Sequence, residues 1–465
     1  IDIELTPNRP DCTGVRGIAR DLAAAGLGAL KPFEAAAPVA GSYDSPISWD
    51  IADDSNACSY VVGRHFRGVT NGPSPKWLQD RLRAVGLRPI SALVDVTNYV
   101  SLDLGRPLHV FDAGKVSGNL RVHRAKAGDK IVGLDEKEYT FSGGQVVISD
   151  DNGIESIAGV MGGLATGCTE ETTDVFLEAA VWDHVQIAMT GRALKINSDA
   201  RYRNERGIDP AYNMQAMEDA TAMIMELCGG EPSNVTVAGK VPDVSRAYKL
   251  DAKRVQSLVG MDIPETEQRQ TLTALGFKLE GNMAQVPSWR PDVLGEADLV
   301  EEVARIASLT KLVGKPLTRA SAGVPKQILL PLQKREQAAR RTAAGLGYNE
   351  CVTYSFVDQK SAALFGGGED TTRLENPISS EMSHMRPDLL VGLLQAAARN
   401  QARGFADLAL FEVGPVFHGG EPGEQALQVS GLLVGKTGPK DILGESRSVD
   451  VFDAKADAEA VLAAV

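Results

Sequence analysis

A chain of 465 residues is long enough for about three domains of ordinary size, each with a core of its own. Its composition, 43% hydrophobic and 23% charged, is that of a folded globular protein; no apolar run is long enough to cross a bilayer, so a cytoplasmic location and no membrane partner are expected. A formal charge of -13 excludes broad, nonspecific attraction to nucleic acid, which rests on clustered Lys and Arg, and the five scattered cysteines have no spacing for zinc or a redox pair.

The opening IDIELTPNRPDCTGVRGIARDLAAAGL predicts a strand, a Pro-Asn-Arg-Pro turn and an amphipathic helix with Val15, Ile18, Ala19, Leu22 and Ala23 on one face. Ile1 stands in place of a starting methionine and a helix pattern is still running at Val465, so a piece of a longer protein, truncated at both ends, is expected. Residues 1–55 are then an N-terminal segment. From 56 to 237 short β runs (NLRVHRA, KIVGL, EYTF, QVVIS) alternate with helical patterns, and DDNG signals a hairpin turn. This stretch closes on DPAYNMQAMEDATAMIMELCGG, with Asp209 as N-cap, Pro210 in the first helical position, Gly229 after the end and a Met214, Met217, Ile224, Leu227 stripe that reads as core. Residues 241–316 predict three short helices around NMAQVPSW. In 325–465 a helix (LPLQKREQAARRTAAGLGY) alternates with strands (ECVTYSFV, DLALFEVGPVF, LQVSGLLVG). The fold class is α+β, multidomain.

Residue types with chemistry to offer gather in a few stretches. Gly159, Gly162 and Gly163 lie on a segment that otherwise reads as strand; without the Gly-Lys-Ser/Thr ending of a phosphate loop or the dinucleotide fingerprint, they mark a bulge or a close approach, by a neighbouring element or by a ligand. Glu178 stands in VFLEAAV, where facing inward makes it a desolvated acceptor in want of a donor and facing outward makes it ordinary surface. Thr97, Asn98 and His109 fall close together around a Gly-Arg-Pro turn, as structural or catalytic groups. SDARYRNERGIDP crowds Ser198, Asp199, Arg201, Arg203, Glu205 and Arg206 into a loop, either a solvated ion-pair surface or a reach toward a phosphate backbone. Asp298, Glu301 and Glu302 share a helix face at i, i+3 and i+4 with Asp292 just before them: converging carboxylates suit a hard cation such as Mg2+, and acids in a first helical turn equally suit the helix dipole. Arg386 and Glu412 read as anion handling or as a buried ion pair. No nucleophile, base and orienter set is supported by spacing.

LTPNRPDCTGVRGIARDLAA, LVDVTNYVSLDLGRPLHVFD, IAGVMGG, TDVFLEAA, SDARYRNERGIDP, PSWRPDVLGEADLVEEVARI and GYNECVTYSFVD occur in that order, and together resemble the β subunit of bacterial phenylalanine–tRNA ligase. The resemblance implies an α subunit that carries the phenylalanine and ATP chemistry, in a two-α two-β tetramer that binds tRNA(Phe). It implies a mixed α/β editing (tRNA-deacylase) domain over 56–237 and a small helical, winged-helix-like domain with an acidic metal cluster over 241–316. Over 325–465 it implies a truncated, non-catalytic class II synthetase-like antiparallel-sheet core, with Arg386 and Glu412 structural. The editing site would hydrolyse tyrosine wrongly esterified to tRNA(Phe), with His109, Glu178, Thr97 and Asn98 at its catalytic centre and Ala158, Gly159, Gly162, Ser198 and Ala200 binding substrate. Ser198 stands where the family commonly has threonine. Glu178 would accept the phenol hydroxyl and go unpaired with phenylalanine. Mg2+ would sit on Asp292, Asp298, Glu301 and Glu302, and ATP, used by the complex, mainly on the α subunit. The rival expectation is a structural, tRNA-docking assembly subunit without hydrolytic activity.

Overall fold

The computed structural model describes residues 3–52, 56–318, 328–438, 442 and 446–465. It has two compact units, Ile1–Lys315 and Pro316–Val465, and is α+β with several separate sheets.

The first unit is organised by the strand Asp174–Trp182. It pairs antiparallel with the ten-residue strand Cys58–Arg67 on one side and with His109–Asp112 on the other. Side chains alternate between the faces of a strand. Val175, Leu177, Ala179 and Val181 therefore enter one core, with residues of the helices Ala92–Leu104 and Asn213–Cys228, while Phe176, Ala180 and Trp182 enter another. That second core is shared with a five-stranded sheet ordered Trp49–Ile51, Leu120–Arg124, Val146–Ser149, Ile154–Ile157, Met161–Gly162. With both faces covered, the strand is apolar after its half-exposed first residue, Asp174, except for Glu178, which falls on the Phe176 side.

Arg64, 2% exposed, ties the helix Asn213–Cys228 to the sheet. Its guanidinium donates to both Glu218 carboxylate oxygens (2.9 and 3.2 Å), the Thr221 hydroxyl (3.0 Å) and the Val39 carbonyl (2.9 Å). The methionine stripe of this helix is core, with Met217 and Ile224 fully buried and Met214 and Leu227 packed beside them. The helix begins at Asn213, later than Pro210, because Asp209 accepts from the Ala211 N–H (2.9 Å) and so holds the preceding residues in a turn. At the start of the chain, Ile3 to Leu5 form no strand, and Ile1 and Asp2 lie outside the described residues. The expected helix follows as Val15–Ala24.

Within the same unit, the helices Ala252–Val259, Glu265–Ala274 and Glu296–Ala307 enclose a core of Val255, Leu272, Phe277, Val300 and Val303. They carry a small antiparallel sheet, Ala247–Lys249, Met283–Gln285, Lys278–Glu280, in addition to the helices the sequence predicts.

The second unit pairs Leu408–Phe417 antiparallel with Gln425–Val434 and adds Asn349–Glu350 in parallel, beside the helices Pro331–Gly345, Leu390–Ala402 and Val451–Ala464. ECVTYSFV is not one strand: its middle is irregular, between Asn349–Glu350 and Phe356–Val357. Here Arg386 donates to Glu412 (2.7 Å) and both bind the Thr353 hydroxyl (3.0 and 2.7 Å), a closed buried pair with the structural role. Among the described residues no helix is long and apolar enough to cross a membrane.

The Arg64–Glu218 pair yields a stability prediction. Glu218→Ala strands a buried guanidinium and should cost about 3–5 kcal/mol, read as a lower denaturant midpoint for the first unit; a loss within 1 kcal/mol would show that the pair does not anchor the helix.

Candidate functional site

Strand register builds the centre of the site. Glu178 lies opposite His109 on one neighbouring strand and opposite Gly63 on the other, so the carboxyl and the imidazole leave the sheet side by side on one face. Above them comes the hairpin formed by Ile154–Ile157 and Met161–Gly162, which corrects the strand reading of the glycine run: Ala158, Gly159 and Val160 are its turn. Gly159 has φ +66°, and a Cβ there would come within 2.8 Å of the Trp182 ring. A Cβ on Gly162 would run into the His109 ring. What presses on the bare backbone at these two positions is the protein's own Trp182 and His109.

The helix Asp199–Asn204 closes the site. Ser198 caps it by accepting from the Arg201 N–H (3.1 Å) and donates to the Val160 carbonyl (2.5 Å), which ties helix to hairpin. Asn204 donates from Nδ2 to the Gly159 carbonyl (2.9 Å) and leaves its buried Oδ1 without a partner. Between these elements is a cavity of about 60 Å³, to which His109, Gly159, Gly162, Glu178 and Ala200 all contribute. Trp182, Met161 and Asn204 line it as well and went unnoticed in the sequence. Only the polarity of Asn204, set among charged neighbours, offered a signal there.

Thr97, Asn98, Ala158 and Ser198 do not line the cavity. The Thr97 hydroxyl donates to the Val94 carbonyl of its own helix (2.8 Å), and Asn98 is half-buried beside it on that helix. Ala158 is fully buried in the core beneath the hairpin. Ser198 acts one step back, as the cap.

Burial governs the electrostatics. Glu178 is 5% exposed, and burial pushes its carboxyl up to about 8, opposed only in part by the positive charge of Arg106. Among the described residues no hydrogen bond satisfies that carboxyl. Burial likewise brings His109 down to about 4, so the imidazole is neutral at neutral pH; its Nε2 has no partner and its ring meets Phe111 edge-on, centroids 4.3 Å apart.

The arginines of the SDARYRNERG stretch are engaged within the protein. Arg201 donates to Glu205 (2.9 Å), buried Arg203 to the Ser101 and Thr13 carbonyls (3.2 and 2.9 Å), and Arg206 to Glu205 (3.0 Å) while lying over the Tyr202 ring. The stretch is a folded helix with internal ion pairs and no free phosphate-reaching edge.

The four carboxylates of the acidic cluster have different surroundings. Glu302 turns inward at 1% exposure and Glu301 turns to solvent, so the two do not converge. Arg290 holds Asp292 (2.9 and 2.8 Å) and Glu302, and Arg305 holds Glu302 (2.7 and 2.6 Å). Burial pushes Glu302 up, but the hydrogen bonds from Arg305 and Arg290 outweigh it and bring it down to about 2. Asp298 accepts the Leu294 N–H (2.7 Å) at the start of its helix, the dipole role. Among the described residues, the Cys and acid groups whose ligand atoms do lie within 4.8 Å of one another are Asp11, Cys12 and Asp21. They are held by Arg9 (2.9 Å to each Asp), Arg20 (3.4 Å to Asp11) and Arg305 (2.6 Å to Asp21). The result is an ion-pair lattice joining the N-terminal segment to the helix Glu296–Ala307.

Family models match along the chain: the B3/4 domain over residues 57–229, the tRNA synthetase B5 domain over 248–308, and the phenylalanyl tRNA synthetase beta chain CLM domain over 316–465. The phenylalanine–tRNA ligase beta subunit of Ruegeria pomeroyi is 72% identical, that of Cereibacter sphaeroides 67% and that of Bradyrhizobium diazoefficiens 49%, in each case over 100% of this chain and 58% of the relative. The chain thus spans 58% of the length of these relatives. A solved N-terminal fragment of the phenylalanyl-tRNA synthetase beta subunit from Pyrococcus horikoshii aligns over 65% of this chain and 84% of its own, at 17% identity and a TM-score of 0.33, too low to carry a structural argument. The relatives and the domain models agree along the whole sequence: the chain belongs to the phenylalanine–tRNA ligase beta subunit family.

Proposed function

We propose that this chain is part of a β subunit that works with an α subunit, in a two-α two-β assembly, to attach phenylalanine to tRNA(Phe) at the expense of ATP, and that the Glu178 pocket hydrolyses tyrosine wrongly esterified to that tRNA. Family membership supports the first half, with ATP bound mainly by the α subunit and Mg2+ on Asp292, Asp298, Glu301 and Glu302 as the resemblance implies. One observation carries the second: a buried carboxyl with no hydrogen bond among the described residues, at the wall of a cavity lined mainly by apolar groups, glycine backbone and a neutral imidazole, with Ser156 and Asn204 as its uncharged polar groups. A phenol hydroxyl supplies the donor that this carboxyl lacks. Phenylalanine leaves it unpaired, and a site built around a hydrogen bond rejects a ligand that lacks it far better than an apolar pocket rejects an added hydroxyl.

The chemistry asked of the pocket is modest. A neutral, desolvated His109 is a weak base at neutral pH, so hydrolysis rests on holding the ester and a water in place, helped by the hydroxyl of the tRNA's terminal ribose. At about 60 Å³ the cavity is well below the ~300–1,000 Å³ usual for ligand sites. Admission of a tyrosyl group therefore requires the hairpin and the Trp182 ring to part from the strand. That small volume is also what favours the second reading, a structural, tRNA-docking subunit, which predicts no deacylation at all.

Deacylation assays on the complete β subunit with its α partner separate the readings. Assayed above the Glu178 midpoint of about 8, where the carboxyl is ionised, Glu178→Ala should lower the ratio of Tyr-tRNA to Phe-tRNA hydrolysis by about 10- to 100-fold, the worth of a hydrogen bond to a charged group; an unchanged ratio removes Glu178 from tyrosine recognition, and absence of wild-type hydrolysis leaves the docking role. With His109 held near 4, the rate of Tyr-tRNA hydrolysis should cross the range from pH 5 to 7.5 without an inflection at the ordinary imidazole value. A limb near 6.5 that vanishes in His109→Asn would instead make this histidine a titrating base.

A further inference from the structure

Arg106 is the buried charge that neither the lattice of ion pairs nor the pocket lining accounts for. It is 1% exposed, and only one of its nitrogens is satisfied: Nη2 donates to the Ala180 carbonyl (2.6 Å), while Nε and Nη1 are buried without partners. A guanidinium in that state is expensive to keep, and replacing it with an apolar residue is the cheaper structural solution. Its position explains what it serves. Ala180 lies two residues from Glu178 on the same strand face, both line the cavity, and Arg106 leads directly into the Pro107, Leu108 and His109 wall opposite. The guanidinium is thus fastened to the pocket beside the one carboxyl there that also lacks a hydrogen bond.

We propose that Arg106 is a positioning residue of the pocket: its buried guanidinium is the counter-charge against which Glu178 ionises, and it sets the pH at which the pocket acquires a carboxylate acceptor for a phenol. The consequence for substrate choice rests on the editing function proposed above; the charge coupling does not.

The surrounding groups leave this role to Arg106. Facing Glu178 are His109 on the edge strand, neutral at neutral pH, Gly63 on the other neighbour and Asn204 from the capping helix, which is uncharged. Cys58, on the strand beyond Gly63, is pushed up to about 12 by burial and by the Glu178 charge, and so stays a thiol. Arg106 is the charge that draws Glu178 down against its burial. Around Arg106 itself, burial lowers it to about 10, still a cation, and Asp209, Glu178, Tyr212 and Cys58 act on it in the opposite sense.

The test is a direct titration of the Glu178 carboxyl by carbon-13 NMR in this 465-residue chain, the resonance assigned by its loss in Glu178→Gln, for wild type, Arg106→Gln, Arg106→Met and Arg106→Lys. Both neutral variants are expected to fold, glutamine keeping a donor for the Ala180 carbonyl and methionine filling the space. The midpoint should rise by about one pH unit or more in each neutral variant, and return toward wild type in Arg106→Lys. An unmoved midpoint in whichever neutral variant keeps the wild-type circular dichroism spectrum overturns the inference. In the complete enzyme, the Tyr-to-Phe hydrolysis ratio should rise with pH through the same midpoint and shift with it. A wild-type enzyme with no tyrosine preference defeats the editing function, while the titration still decides the coupling.

Discussion

The strand Asp174–Trp182 is the constraint on which the rest of the first unit depends. Covered on both faces from Val175 to Trp182, paired along its length with Cys58–Arg67 and over Val175–Glu178 with His109–Asp112, it leaves only Asp174 partly exposed, so a polar group further along it must be answered from within. The chain answers three such demands in different ways. Arg64, on the neighbouring strand, has acceptors for both of its terminal nitrogens in Glu218, Thr221 and Val39. Arg106 receives a single carbonyl from the central strand itself, and Glu178 receives nothing but a cavity. The structural arginine is bridged at both terminal nitrogens, whereas the two charged groups at the cavity are held sparsely.

The same contrast separates the two acidic features. Asp292 and Glu302 are rich in partners, and their arginines also reach Asp11 and Asp21, so the cluster works as a clasp between the N-terminal segment and the helix Glu296–Ala307. Glu178 has the opposite character: a buried carboxyl that, among the described residues, accepts no hydrogen bond.

Much of this was legible in the sequence, and the misses have physical causes. The α+β class and most helices follow from periodicity, because their apolar stripes face single cores. The conjunction of Glu178, His109, Gly159, Gly162 and Ala200 was carried by the family resemblance, since residues so far apart in sequence meet through strand register, which a single sequence does not encode. Thr97 and Asn98 are close to His109 in sequence but lie on a helix that packs elsewhere. The carboxylate spacing at Asp298, Glu301 and Glu302 was real, yet helical spacing alone cannot reveal that Arg290 and Arg305 fold back onto it. Arg106 escaped notice because nothing about a Gly-Arg-Pro turn announces a buried guanidinium.

The account turns on the claim that Glu178 reads a phenol hydroxyl, and a crystal structure of the complete β subunit with its α partner, bound to a non-hydrolysable amide of tyrosine on terminal adenosine, tests it most directly. The account predicts the tyrosyl ring beneath the Gly159 hairpin with its hydroxyl within hydrogen-bond distance of a Glu178 oxygen. A ring seated elsewhere, or a hydroxyl turned away from a Glu178 that remains unpaired, would contradict it.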